Sequence, residues 1–209
     1  MTMDSSAWDD RYQAADLVWS TTPNVWVEQT ASQLPVGTAL DLAGGEGRNS
    51  IWLAERGWDA ECVDFSAVAL DRALHIAAQR LGADASRFHV QRADLLTMDC
   101  ESRNYNLVLV VYFHVPAAAR EAVLRCAAQA VAPGGRLLVV AHHLDNLTEG
   151  VGGPQNADIL YTEDDVRQAA EASGLETERA ERVLRAVAAD SSSEARNAID
   201  VVYVGRRAE

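Results

Sequence analysis

Residues 39–50 have the sequence Ala-Leu-Asp-Leu-Ala-Gly-Gly-Glu-Gly-Arg-Asn-Ser, and this stretch decides the fold of the chain. An apolar run ends at Leu42, three glycines lie within the next five positions, and a helix-like apolar stretch begins at Ile51. This order predicts a β-strand, a tight turn and the N-terminus of a helix. Glycines let a ligand approach the backbone where any Cβ would block it. The N–H groups at the start of a helix favour an anion.

A second acidic residue, Asp64, ends the next apolar segment, which covers residues 61–65. An acid that follows the glycine-rich turn by about 20 residues is placed to accept both hydroxyls of a ribose. The turn and this acid together predict a cofactor that contains a nucleoside.

The identity of that cofactor depends on two positions near the turn. A dinucleotide site has the pattern G-x-G-x-x-G, whereas this sequence has Ser50 at the third glycine position. Asp41 lies on the strand just before the turn, where a carboxylate repels a pyrophosphate but suits an amino group or a cationic ligand. An NAD(P)-dependent oxidoreductase is the second enzyme hypothesis, although the chain has no lysine for a Tyr-x-x-x-Lys pair. A non-catalytic domain that only binds the cofactor is the third hypothesis.

Residues 41–47 resemble the first motif of the class I S-adenosylmethionine-dependent methyltransferases, D-x-G-x-G-x-G. Ala43 replaces the first glycine of that motif. We expect a small cost, because alanine adds only a methyl group, and we expect Ala43 to keep φ below zero. Four later segments resemble further motifs of the family in the family's own order. They are Asp64-Phe65-Ser66, Arg92-Ala93-Asp94-Leu95, the fourth-strand segment 105–112 and the proline-glycine turn at 132–138.

The resemblance implies that the chain binds S-adenosylmethionine and releases S-adenosylhomocysteine. In this family the acid at Asp64 binds the ribose, and the next side chain, Phe65, lies on the adenine. We expect Arg48 to pair with the methionine carboxylate, and an aromatic residue such as Trp19 to shield the sulfonium. The predicted cofactor-binding residues are Trp19, Asp41, Ala43, Gly44, Gly45, Gly47, Arg48, Asn49, Asp64, Phe65, Ser66, Ala93, Asp94, Leu95, Val110 and Val111.

The segment after the turn and the aromatic residues near the N-terminus resemble the small-molecule branch that includes thiopurine and tellurite-resistance methyltransferases. Methyl transfer is an in-line displacement in which the protein mainly supplies alignment, and a general base adds a factor of about 10²–10⁴. Because histidine titrates near neutrality, His114, His142 and His143 are the candidate catalytic bases. A thiolate needs no base, so the acceptor is left open between a thiol or other chalcogen, an amine and a hydroxyl.

The hydrophobic pattern predicts one α/β domain with a Rossmann-like, doubly wound, mostly parallel seven-stranded sheet and an antiparallel last strand. We expect residues 1–35 to form a helical cover over the active site and residues 36–209 to form the methyltransferase domain. The predicted strands are 38–42, 60–64, 87–91, 106–111 and 136–142, with a closing hairpin of 176–187 and 197–206 and a turn at 191–193. The predicted helices are 48–56, 66–81, 117–131 and 163–173.

Composition and charge limit the partners and the compartment. The formal net charge of −13 opposes polyanions, so we do not expect a nucleic-acid acceptor. No apolar run reaches transmembrane length, and the first residues do not form a signal peptide. Cys62, Cys100 and Cys126 are widely spaced, which indicates thiols in a reducing compartment rather than a disulfide framework. We therefore expect a cytoplasmic protein with no membrane segment and no metal site, in an oligomeric state that the sequence does not indicate.

Overall fold

The computed structural model describes residues 9, 22–101, 103–187 and 196–209 of the chain. Strands and helices alternate over most of this part of the chain. The strands are β1 Thr38–Leu42, β2 Asp59–Asp64, β3 Phe88–Arg92, β4 Tyr105–Val111, β5 Val131–His142, β6 Leu175–Val187 and β7 Arg196–Arg207. The α-helices are α1 Val25–Ala31, α2 Arg48–Glu55, α3 Ala67–Leu81, α4 Ala117–Gln129 and α5 Glu163–Ala172.

The strands form a seven-stranded sheet in the order β3-β2-β1-β4-β5-β7-β6. The pairs β1–β2, β1–β4, β2–β3 and β4–β5 are parallel. Strand β7 lies antiparallel between β5 and β6. The predicted fold class is therefore confirmed, including the antiparallel hairpin that closes the sheet. The strand order reverses beside β1, and ligands of such sheets bind outside the carboxyl ends of the strands at that point.

Helices cover both faces of the sheet, so β1 buries the side chains on each of its faces. Leu40 and Leu42 pack in one core cluster with Leu124 of α4. Ala39 packs in a second cluster with Ile51 of α2. Successive strand residues point to opposite faces, and a strand that is covered on both faces is therefore apolar throughout. This explains the nearly continuous apolar runs in the sequence.

The predicted bounds of the strands and of α2 to α5 lie within two residues of the observed ones, except at the start of β5. Strand β5 begins at Val131 because Val131 pairs with Tyr105 before the register shifts. Gly135 makes this close pairing possible, since a Cβ at that position would lie 2.8 Å from the carbonyl oxygen of Tyr105. The predicted turn at 191–193 lies outside the described residues. Of the predicted N-terminal cover, the structure describes residue 9 and residues 22–35, which contain α1.

The cysteine prediction is wrong for two of the three residues. Cys100 and Cys126 form a disulfide, with their Cα atoms 5.2 Å apart and a sequence separation of 26. Cys100 follows β3, whereas Cys126 lies on α4, and both side chains are buried in the same core cluster. This proximity arises only when the sheet is assembled, so the sequence spacing does not reveal it. Cys62 is a buried free thiol, and burial raises its pKa.

The described residues contain neither a membrane-spanning helix nor a cluster of metal-ligating side chains. None of the described helices is long and apolar enough to cross a membrane. No group of three or more histidine, cysteine, aspartate or glutamate side chains in the described ranges could hold a metal ion.

Candidate functional site

The glycine-rich turn lies between β1 and α2, at the carboxyl edge of the sheet. Gly47 directly precedes α2 with φ +75°, and a Cβ there would lie 3.2 Å from the side chains of Ala73 and Phe88. A Cβ on Gly44 would lie 2.5 Å from the sulfur of Cys62. Close packing and a left-handed backbone thus explain two of the glycines, and the turn leaves backbone at the surface of the cleft.

Ala43 has φ +57°, so the expectation that it keeps φ below zero is wrong. A residue with a Cβ in this left-handed region costs about 1–2 kcal/mol. The backbone conformation explains why the methyltransferase motif has glycine at this position. This chain therefore keeps the turn at some cost in stability.

Asp41, at the end of β1, is a buried carboxylate with one oxygen that lacks a partner. Its Oδ2 atom accepts a hydrogen bond of 2.7 Å from the hydroxyl of Ser50. Its Oδ1 atom is buried and has no hydrogen-bond partner within the described part of the chain. Burial raises the pKa of Asp41 to about 6, although Ser50 and Arg48 oppose the shift. A buried unpaired oxygen is costly, which indicates that a ligand supplies the missing donor.

Asp64, at the end of β2, is held rigidly by two backbone donors. The N–H of Gly45 donates to Oδ2 at 2.9 Å, and the N–H of Ser66 donates to Oδ1 at 2.9 Å. Burial raises the pKa of Asp64, against the effect of these hydrogen bonds. Each carboxylate oxygen accepts more than one hydrogen bond, so both retain capacity for a ligand hydroxyl. Ser66 also caps α3, because its hydroxyl accepts from the N–H of Ala69 at 3.1 Å.

The segment after β3 lies directly beside Asp64. The N–H of Ala93 donates to the carbonyl of Asp64 at 3.0 Å, so the two strand ends are joined. Asp94 is exposed, and its Oδ1 accepts from the N–H of Leu96 at 2.9 Å. This hydrogen bond within residues 94–96 orients the carboxylate of Asp94 and leaves its Oδ2 atom for a ligand.

The other predicted cofactor residues have different environments. Leu95 and Val110 are buried in the hydrophobic core. The Oδ1 atom of Asn49 accepts from the N–H of Asn24 at 2.9 Å and so joins α2 to the segment before α1. Trp19 lies outside the described residues. Phe65 and Val111 are partly exposed at the ends of their strands.

A cavity of about 1650 Å³ lies beside the turn, at the same edge of the sheet. Arg48, the first residue of α2, lines it, and burial lowers the pKa of this arginine although Tyr112 and Asp41 oppose the shift. Gly153 and Pro154, from the glycine-rich loop after β5, also line the cavity. Further lining residues come from α1, the ends of β4 and β5, and β6, namely Trp26, Tyr112, His114, His142, Leu184 and Arg185.

His114 lines the cavity as a neutral imidazole. Its Nδ1 lies 3.1 Å from the carbonyl oxygen of Ile159, which accepts only, so Nδ1 carries the proton. Its Nε2 atom is buried and has no partner among the described residues. Burial lowers the pKa of His114 to about 4, although the carbonyl of Ile159 opposes the shift.

His142 lies opposite Asp200 in the ladder between β5 and β7. The Nδ1 atom of His142 is 3.2 Å from Oδ1 of Asp200, which is an ion-pair distance without hydrogen-bond alignment. Asp200 is fully buried, and its Oδ2 accepts from the hydroxyl of Tyr112 at 2.9 Å and from Nε of Arg185 at 2.7 Å. Burial raises the pKa of Asp200, but His142, Arg185 and Tyr112 outweigh burial and hold it below its usual range.

Asp200 was not among the residues predicted from the sequence. The available signal is an acid inside the apolar run Ala198-Ile199-Asp200-Val201-Val202. Because acids are almost never fully buried without a partner, such a residue indicates a specific polar contact. The strand register is needed to show that the contact is His142.

The structure does not bring His143 to the cavity. Its Nδ1 accepts from the N–H of Asp145 at 2.9 Å, and its Nε2 lies 2.9 Å from a carboxylate oxygen of Glu163. Both ring nitrogens are therefore occupied, and His143 joins the end of β5 to α5. Of the three candidate bases, His114 and His142 lie together at the cavity, with ring centroids 5.3 Å apart.

Known proteins share sequence and fold with this chain. Residues 39–135 match a family model described as a methyltransferase domain. A structure from work on the conversion of a disulfide bond into a thioacetal group during echinomycin biosynthesis has a TM-score of 0.75 at 17% identity, covering 98% of this chain and 91% of that chain. TehB from Haemophilus influenzae has a TM-score of 0.69 at 14% identity, covering 97% and 66%. Magnesium protoporphyrin IX methyltransferase from Synechocystis, with bound S-adenosylhomocysteine, has a TM-score of 0.65 at 17% identity, covering 100% and 90%.

Proposed function

We propose that this chain, which is a class I S-adenosylmethionine-dependent methyltransferase, methylates a small apolar molecule in the cavity beside the glycine-rich turn. The observation that carries the proposal is the rim of this cavity. Val25, Leu144 and Leu184 are large apolar side chains with exposed fractions of 39%, 41% and 57%, and all three line it. Exposed apolar side chains that cluster at a cavity indicate a ligand with matching apolar surface.

The cofactor, when bound, supplies a methyl group on a positively charged sulfur. We assign Asp64 to the ribose hydroxyls, because Gly45 and Ser66 already fix its carboxylate. We assign the free Oδ1 of Asp41 to the amino group of the methionine portion, since an ammonium supplies the donor that this buried oxygen lacks. These two carboxylates at adjacent strand ends fit a ligand that has both a ribose and an ammonium group.

The remaining assignments follow from position. We assign Arg48 to the methionine carboxylate, because it lies at the start of α2 and borders the cavity. We assign Asp94 to the adenine amino group, since its Oδ1 atom accepts from the N–H of Leu96 and its Oδ2 atom remains for a ligand. We also propose that residues 1–35 form the cover of the site and residues 36–209 the catalytic domain. The presence of Trp26, from α1, in the cavity wall supports this division.

Asp41 also argues against a dinucleotide cofactor. A pyrophosphate at the glycine-rich turn would lie near the buried carboxylate of Asp41, whose Oδ1 atom has no hydrogen-bond partner among the described residues. The net charge of −13 and the apolar rim both disfavour a nucleic-acid acceptor. The proposal is therefore restricted to small molecules with apolar surface.

A pair of rim variants tests the proposal. Formation of S-adenosylhomocysteine is measured with a panel of small aromatic and aliphatic acceptors, with oligonucleotides and with a mixture of denatured proteins. We expect turnover only with small molecules, and we expect Leu184→Arg to raise KM for them about tenfold or more, because the charge replaces apolar contact. Val36→Arg is the matched control, since Val36 has the same 57% exposure but does not line the cavity. Turnover of oligonucleotides or proteins, or equal effects of the two variants, would contradict the proposal.

A further inference from the structure

The carboxylate of Asp200 has one oxygen that is satisfied and one that is not. Tyr112, Arg185 and, at 3.5 Å, Trp26 donate to Oδ2, whereas Oδ1 is buried, has no hydrogen-bond partner among the described residues and lies 3.2 Å from Nδ1 of His142. A buried carboxylate oxygen requires a donor, and the nearest one is a proton on Nδ1 of His142. This arrangement selects the tautomer of His142 in which Nδ1 carries the proton and Nε2 has the lone pair.

Gly153 packs closely against the Nε2 edge of His142, and no side chain fits between them. A Cβ on Gly153 would lie 2.7 Å from Nε2 and 2.6 Å from Cδ2 of this ring. Both His142 and Gly153 line the cavity. His142, whose side chain is 12% exposed, thus presents part of its ring to the cavity.

His114 provides a second lone pair in the same place. Its ring is nearly parallel to that of His142, with an interplanar angle of 11° and a centroid separation of 5.3 Å. Its Nδ1 proton is donated to Ile159, so its unpartnered Nε2 is also an acceptor. Because Nε2 of His114 is buried, the Nε2 lone pair of His142 is the one that an acceptor molecule with a donor proton complements.

Charged groups of both signs surround these rings. Arg48, Arg120 and Arg185 line the cavity together with Asp158 and Asp165, and Arg120 and Arg185 pair with Asp165 and Asp200. The other titratable groups in contact with the rings include Tyr112, whose ring lies 4.8 Å from that of His142, and Tyr161, whose ring lies 5.8 Å from that of His114. A hydroxyl is neutral, so it brings the proton that Nε2 of His142 accepts without placing a further charge among these groups.

We propose that His142, positioned by Asp200, is the general base of the reaction and that the methylated atom is the oxygen of a hydroxyl group on the apolar acceptor. This inference rests on the proposed function, because it concerns the molecule bound in the same cavity. The hydroxyl proton passes to Nε2 of His142 while the oxygen forms its bond to the methyl carbon. The carbon–sulfur bond of the cofactor breaks with its electron pair on sulfur. The imidazolium then stays paired with Asp200 until it returns the proton to water.

The tautomer of His142 is measured first, because this result does not depend on turnover. Long-range ¹H–¹⁵N spectra of the neutral imidazoles distinguish a proton on Nδ1 from one on Nε2, and the His142 signals are assigned by their loss in His142→Gln. We expect the proton on Nδ1 in the wild type and a loss of this preference in Asp200→Asn. A proton on Nε2 in the wild type, or no change in Asp200→Asn, would overturn the inference. If Asp200→Asn does not fold, the position of the His142 proton in the wild type alone tests whether Asp200 selects this tautomer.

The kinetic test uses the acceptors that turn over in the screen, and compares naphthol, naphthalenethiol and naphthylmethylamine as one matched series. We expect the hydroxyl compounds to be preferred, and we expect His142→Gln to lower kcat for them by about 10²-fold or more. We expect Asp200→Asn to lower kcat as well, because the imidazolium that forms on His142 loses its carboxylate partner.

His89→Gln is the control, since His89 is exposed on β3 and pairs only with Asp59 there. Equal activity of His142→Gln and His89→Gln, or a preference for the thiol or the amine, would overturn the inference. The affinity for S-adenosylhomocysteine is measured for every variant and should not change. If the wild type does not bind S-adenosylhomocysteine, the proposed function fails. If it binds but His142→Gln stays as active as His89→Gln, only this inference fails.

Discussion

The backbone N–H of Gly45 donates a hydrogen bond of 2.9 Å to Oδ2 of Asp64. This bond joins the glycine-rich turn after β1 to the end of β2, so the two parts of the cofactor site are fixed relative to each other before any ligand binds. Preorganisation of this kind lowers the entropy cost of binding. It also makes the carboxylate of Asp64 part of the structure of the turn, in addition to the ribose contact that we propose for it.

We predict that Asp41→Asn stabilises the protein without cofactor and abolishes its binding of S-adenosylhomocysteine. Burial raises the pKa of Asp41 to about 6 from 3.8. The unfolded state therefore loses this proton at lower pH than the folded state, and the buried charge destabilises the fold by up to about 3 kcal/mol above pH 6. We expect a gain of roughly 1–3 kcal/mol in the free energy of unfolding at pH 7.5, which disappears below about pH 4. Urea unfolding at pH 7.5 and below about pH 4 measures this gain in the free energy of unfolding. An equal gain at both pH values would show that the buried charge of Asp41 is not its cause.

We predict that Ala43→Gly raises the free energy of unfolding by about 0.5–1 kcal/mol. Glycine removes the strain at φ +57°, and the greater entropy of the unfolded chain offsets part of the gain. Affinity for S-adenosylhomocysteine should not change. Ala78→Gly, at an exposed site inside α3, is the control and should instead lose about 1 kcal/mol. Loss of stability in both variants would show that Ala43 is not strained.

We predict that Gly153→Ala lowers the rate of methyl transfer about 10²-fold, because the new Cβ displaces the ring of His142 from its place. Gly152→Ala is a matched control. Gly152 has φ +72°, close to the +73° of Gly153, but a Cβ there would have nothing within 4 Å. Backbone strain is thus equal in the two variants, and only Gly153→Ala should reduce kcat. Equal rates in the two variants would contradict the placement of His142 at the reacting group.

Local sequence patterns predicted the parts of the molecule that depend on neighbours in the chain. The turn after Leu42 follows from its glycines, and the parallel strands follow from apolar runs that are covered on both faces. The hairpin of β6 and β7 was predicted within one residue at each described end. The backbone conformation of Ala43 was not predicted, because a resemblance to a motif does not give φ.

The sequence did not predict relationships that depend on the register of distant strands. Asp200 contacts His142 only because β5 and β7 pair in one particular register. Cys100 meets Cys126 only when α4 packs on the sheet. His114, His142 and His143 are equivalent candidates in the sequence, and only the structure shows that His143 is occupied by Glu163 and Asp145.

Calorimetric titration with S-adenosylhomocysteine, S-adenosylmethionine and NAD(P)H tests directly whether S-adenosylmethionine is the cofactor of this chain. We expect both adenosyl ligands to bind and NAD(P)H not to bind. Asp64→Ala should weaken adenosyl binding by about 10²-fold or more, because it removes hydrogen bonds to a charged acceptor. Asp71→Ala, at an exposed position on α3, is the control and should bind as the wild type does. Binding of NAD(P)H in place of the adenosyl ligands would contradict S-adenosylmethionine as the cofactor. Full affinity in Asp64→Ala would contradict the assignment of Asp64 to the ribose.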